Sequence, residues 1–86
     1  MIVTRKTVAD KLTAYLRHKI ELNELVDWAE NAMMDGEFES AHLSQIRDSV
    51  SRLGLADVRA FGLTWADCEK ILNQIGYSAR VKISAA

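Results

Sequence analysis

Proline is missing altogether from this chain, and cysteine occurs only once. Without proline, no helix interior meets a residue lacking its N–H donor, and turns fall to Gly, Asn, Asp and Ser. A single cysteine, Cys68, excludes an internal disulfide and agrees with a reducing compartment. No uninterrupted apolar run approaches the roughly 18 residues that span a bilayer. The first six residues, Met1-Ile2-Val3-Thr4-Arg5-Lys6, carry no secretory leader pattern. The expectation is a cytoplasmic protein with no membrane contact. A further gap concerns charge of one sign: residues 20–46 contain no lysine or arginine.

What is present points to one small folded unit. Apolar residues make up 49% of the 86 positions and charged ones 27%, which suits a globular chain and not a disordered one. A chain of this size buries roughly 60–65% of its unfolded surface, enough for one core and not for two. Residues 1–86 are therefore read as a single helical domain.

The net charge of −1 gives no global attraction to nucleic acid or membrane. Its distribution says more. Residues 1–19 hold Arg5, Lys6, Lys11, Arg17 and Lys19 against Asp10 alone. Residues 20–46 hold Glu21, Glu24, Asp27, Glu30, Asp35, Glu37 and Glu39 with no cation.

Helical spacing places Val8, Leu12, Tyr15 and Leu16 on one side of a first helix, with Thr4 or Thr7 as N-cap. A second helix has the stripe Leu22, Leu25, Val26, Ala29 and Met33, with Glu24, Asp27 and Asn31 pointing away and Gly36 as its stop. Phe38 follows in an acidic loop that folds back over the core. Ser40 is expected to cap a third helix with Leu43, Ile46, Val50 and Leu53 inward, ended by a left-handed Gly54. Residues 55–62 have room for one or two helical turns. Thr64 opens a last helix, Asp67 completes a capping box, and Trp65, Cys68, Ile71, Leu72 and Ile75 form its buried side before Gly76. From Tyr77 the period becomes 2: Tyr77, Ala79, Val81 and Ile83 alternate with polar residues, as in a half-buried strand. Such a strand needs a partner for its backbone groups, either the N-terminal residues Ile2-Val3-Thr4 or another chain. The fold expected is mainly α: a compact bundle of four to five short helices with one C-terminal strand.

Residues able to do chemistry are few. His18 and His42 do not stand three or four positions from another histidine or a cysteine, so no local metal clamp forms. Cys68 lies within an apolar stripe, as a buried and unreactive thiol would. The segment Asp35-Gly36-Glu37-Phe38-Glu39 lacks the ligand spacing of a calcium loop. Phosphate loops, dinucleotide fingerprints and nucleophile elbows are not found. The reading is a non-enzyme, with no cofactor, no metal and no evident small-molecule substrate.

Two interaction readings remain. In the first, the acidic helix binds a basic protein partner or a second copy through Glu24, Asp27, Trp28, Glu30 and Asn31, with Met34 nearby as an apolar contact. Its bland counterpart has the basic first helix lying alongside and neutralising those acids, with Trp28 as a lid over the core. The strand Ser78–Ser84 offers another surface through strand addition. In the second, residues 56–76 form a helix-turn-helix and Thr64–Gln74 enters a DNA major groove. Asp67 and Glu69 in the leading turns of that helix make nucleic acid the less favoured partner.

Overall fold

In a computed structural model that describes residues 1–85, four helices surround one cluster of buried side chains. The order along the chain is β1 (Ile2–Val3), α1 (Arg5–Leu16), α2 (Leu22–Asp35), β2 (Glu37–Phe38), a 3-10 turn (Ser40–His42), α3 (Leu43–Leu53) and α4 (Trp65–Gln74). No helix among the described residues is long and apolar enough to cross a membrane.

Local chemistry sets most helix ends. Thr4 and Thr7 cap α1 reciprocally: the Thr7 amide donates to Thr4 Oγ1 at 3.1 Å, and the Thr4 amide donates to Thr7 Oγ1 at 3.2 Å. Thr64 and Asp67 do the same for α4, at 3.1 and 2.9 Å. At the far end of α4, Gly76 takes a left-handed φ of +87°. Its amide donates to the Asn73 carbonyl, and the Tyr77 amide donates to that of Leu72, a Schellman closure. The end of α1 closes in the same way, with Lys19 N–H on the Ala14 carbonyl and His18 N–H on that of Tyr15. Here the left-handed position, φ +60°, is occupied by His18.

The packing centres on α2 and α3. Leu25, Val26, Ala29 and Ala32 of α2 and Ile46, Val50 and Leu53 of α3 are fully buried, joined by Val8 and Leu12 of α1 and by Cys68, Ile71 and Leu72 of α4. Three apolar residues expected on buried stripes are instead exposed by 41–42%: Met33, Leu43 and Trp65. Each lies in an end turn of its helix, where the stripe runs past the edge of the core. Ser49 is buried on α3 in an otherwise apolar set, and its Oγ has no hydrogen-bond partner among the described residues.

The expected C-terminal strand is not formed. Ile2–Val3 pairs in parallel with Glu37–Phe38, Ile2 opposite Glu37 and Val3 opposite Phe38. The Glu37 amide donates to the Met1 carbonyl at 2.7 Å, and the Glu39 amide donates to that of Val3 at 3.0 Å. This ribbon gives the N-terminal segment a partner other than residues 77–83. It also depends on Gly36, where an added Cβ would meet the Ala32 carbonyl and lie 3.1 Å from Val3 Cγ2. Gly36 is extended, at φ −77° and ψ 146°, so its role is close approach and not a left-handed stop. Residues 77–83 carry no ladder. Ala79 packs against the core, whereas Val81 and Ile83 are 67% and 91% exposed.

Two further expectations change. Ser40 opens a 3-10 turn and makes no side-chain cap, and Gly54 is right-handed at φ −64°.

Two substitutions test these points. A non-glycine residue in the left-handed region costs about 1 kcal/mol. His18→Gly is therefore expected to raise stability by about that amount, read as a higher denaturation midpoint; a lower midpoint contradicts the assignment. Val81→Pro removes an amide that has no acceptor among the described residues, so urea unfolding should shift by less than about 0.5 kcal/mol. A loss of several kcal/mol would show a ladder at this segment.

Candidate functional site

The outer side of α2 carries acids and no cation. Its inner side is committed to the core, so helical geometry turns Glu24, Asp27, Glu30, Asn31 and Met34 outward, and all five are exposed. The question raised by the sequence is whether the cations of α1 cover these acids. Among the described residues none of them forms an ion pair with these acids. Lys6 bonds Asp10 one turn along its own helix, at 2.7 Å. Arg5 reaches toward Gly76, its Nη1 lying 2.9 Å from where a Cβ would stand. Lys11 Nζ sits 5.9 Å from the centre of the Trp28 ring. Arg17 lines a different cleft, beside Arg80 and Lys82. No ion pair among the described residues involves an acid of α2.

The five expected contact residues are not equivalent. Glu24 serves its own helix: its Oε1 accepts from the Glu21 amide at 3.4 Å, and its negative charge suits the positive end of the helix dipole. Trp28 is only partly exposed and packs against the core, so it acts as a lid with Lys11 over its face. Asp27, Glu30 and Asn31 have no structural partner among the described residues.

Beside them lies a feature that periodicity did not single out. Glu30, Met33, Met34, Ser51, Gly54 and Leu55 line a shallow groove of about 460 Å³ between α2 and the end of α3. Met34 is 77% exposed and Leu55 41%, while the Ser51 hydroxyl donates to Met33 Sδ at 3.5 Å. Flexible thioethers beside carboxylates make a surface that adapts to an apolar, cationic segment. Met34 was visible in the sequence as an outward apolar residue. Leu55 belongs to a turn, and nothing in its local pattern placed it there.

The helix-turn-helix arrangement takes a different form. Between Gly54 and Thr64 the chain makes successive hydrogen-bonded turns and no helix, with Val58 N–H on the Leu55 carbonyl and Phe61 N–H on that of Val58. The helix before α4 is thus α3, separated from it by residues 54–64, far more than the 3–4 residues of the motif's turn. Arg52 holds this long connection. Its Nη2 donates to the Gly62 carbonyl at 3.0 Å and pairs with Asp67 Oδ2 at 3.3 Å, and the guanidinium lies 5.8 Å from the Phe61 ring centre. The Thr64 backbone and hydroxyl hydrogen bonds, with Arg52 nearby, hold the Asp67 carboxyl below its ordinary value.

The remaining chemical groups are dispersed. Cys68 is 1% exposed, and burial pushes its thiol up, away from the reactive thiolate. Among the described residues no three His, Cys, Asp or Glu side chains converge as a metal site.

Asp67 gives a pH prediction. Its folded carboxyl titrates below its unfolded value, so its stabilising effect is complete above about pH 4 and fades as pH falls through the lower folded value. Urea midpoints measured from pH 6 to 2 should fall less steeply for Asp67→Asn than for the parent. Parallel profiles would remove Asp67 from the account.

Neither a protein-family model, a curated protein nor a solved structure matches the chain.

Proposed function

We propose that this protein is a non-enzymatic interaction module that binds a basic, partly apolar segment of a partner protein through the outer side of α2. The observation that carries this reading is the acidic face itself, exposed and without a paired cation among the described residues. Uncompensated carboxylates of one sign steer a cationic partner and fix its orientation. Asp27 and Glu30 supply the charge, Asn31 a directional polar contact, and Met34 with Leu55 the apolar contact. Glu24 and Trp28 frame the surface at its N-terminal end and side. Cation-bearing apolar side chains on a partner helix would meet acids and thioethers together, the combination used by helix-in-groove recognition.

Strand addition by residues 77–83, which carry no strand within this chain, is not part of this reading.

The test uses a defined probe, an amphipathic Lys/Leu helical peptide titrated against the full chain at 50 and 300 mM salt. Micromolar binding that weakens at the higher salt is expected. Asp27→Lys combined with Glu30→Lys should weaken it at least tenfold while the circular dichroism spectrum and thermal midpoint stay near parental values. Undiminished affinity in the double variant would end the proposal.

A further inference from the structure

A second surface has the opposite charge. Between α1, α4 and the C-terminal segment runs a cleft of about 490 Å³, and its lining includes Arg17, Arg80 and Lys82 with the aromatic rings of Trp65 and Tyr77. Among the described residues no carboxylate lines it. None of the three cations has an ion-pair partner among the described residues. Both rings are available, Trp65 at 42% exposure and Tyr77 at 39%.

The geometry of the cleft follows from its neighbours. The end of α1 (Tyr15, Leu16) lies beside the start of α4 (Thr64, Trp65), while Arg5 at the start of α1 reaches Gly76 just past the end of α4. The two helices are therefore antiparallel. Trp65 and Tyr77 stand at opposite ends of α4, a helix of ten residues and so about 15 Å long. The extended segment after Gly76 runs back along this length and brings Arg80 and Lys82 into the same lining as Trp65.

We infer that this cleft binds nucleotides presented by a short single strand of nucleic acid, with bases stacking on Trp65 and Tyr77 and phosphates held by Arg17, Arg80 and Lys82. Aromatic platforms along a cationic groove are the elements of single-strand binding without sequence preference. Two rings in one lining offer a stacking face to each of two bases of a strand, where a free nucleotide brings only one base. Duplex DNA is not required: its bases are stacked inward and give the rings nothing to meet. This inference is independent of the acidic face, from which it shares no residue.

The test is fluorescence anisotropy of labelled octathymidylate with the full chain at 50 mM salt, with thymidine monophosphate and inorganic phosphate as competitors. Micromolar binding is expected, with a log–log salt slope near −2 for about three phosphates. Trp65→Ala should weaken binding about tenfold and Trp65→Phe should restore most of it. Arg80→Ala with Lys82→Ala, on exposed tail positions that hold no helix, should weaken it about tenfold with an unchanged thermal midpoint. Competition by the mononucleotide at the same concentration as the strand assigns the cleft to free nucleotides, the same chemistry from another source. Equal competition by inorganic phosphate overturns the role of the rings, and absent binding at 100 µM protein, or binding untouched by the tail variant, overturns the whole inference. Sedimentation that shows a dimer lost in both the tail variant and Asp27→Lys places the acidic helix of a second copy in the cleft and also overturns it.

Discussion

Burial of one side of α2 against α3 and the core decides where this protein's charge goes. Leu25, Val26, Ala29 and Ala32 are shielded from water, and together they fix the rotation of the helix about its axis. Once that rotation is fixed, Asp27, Glu30 and Asn31 have no direction but outward. The cost of exposing acids is small, because water solvates them well. The cost of turning the helix would be the loss of several fully buried aliphatic side chains, at about 1.5–3 kcal/mol each. Hydrophobic packing thus sets the electrostatic surface, and not the reverse.

The basic groups could have offset that surface, but among the described residues none pairs with its acids. Lys6 is taken by Asp10, Lys11 covers the Trp28 ring, and Arg17 joins Arg80 and Lys82 in the cleft beside α4. Exposed ion pairs contribute only about 0–1 kcal/mol, so folding exerts little pull toward neutralising the acidic side. Charge segregation survives because nothing in the stability of the fold opposes it. The one ionic arrangement with a clear structural task is elsewhere: Arg52 fastens the connection between α3 and α4 through Gly62 and Asp67.

Features set by a few adjacent residues were legible in the sequence. The Thr64–Asp67 box, the α1 cap at Thr4 and Thr7, the close at Gly76 and the inward positions of Ile46, Val50, Ile71 and Leu72 depend on local spacing alone. Features set by distant residues were not. The pairing of Ile2–Val3 with Glu37–Phe38 spans too few residues for a period to register, and its enabling contact is the close approach of Val3 to Gly36. The alternation from Tyr77 to Ile83 identified a sided segment but could not supply a ladder partner. Met33, Leu43 and Trp65 fitted their stripes, yet a helical wheel does not mark where the core ends. Of the acidic surface, Glu24, Asp27 and Asn31 were read as outward groups, and all three are exposed. The lid position of Trp28 was also legible from its place beside the stripe, whereas the cap role of Glu24 and the arrival of Leu55 beside Met34 needed three dimensions.

Residue-level mapping reads the central claim most directly. Amide chemical shifts of the isotope-labelled chain, followed while a Lys/Leu amphipathic peptide is added, should move mainly at residues 27–34 and 51–55. Shifts confined to residues 77–82, or spread evenly over the chain, would contradict an acidic docking face on α2.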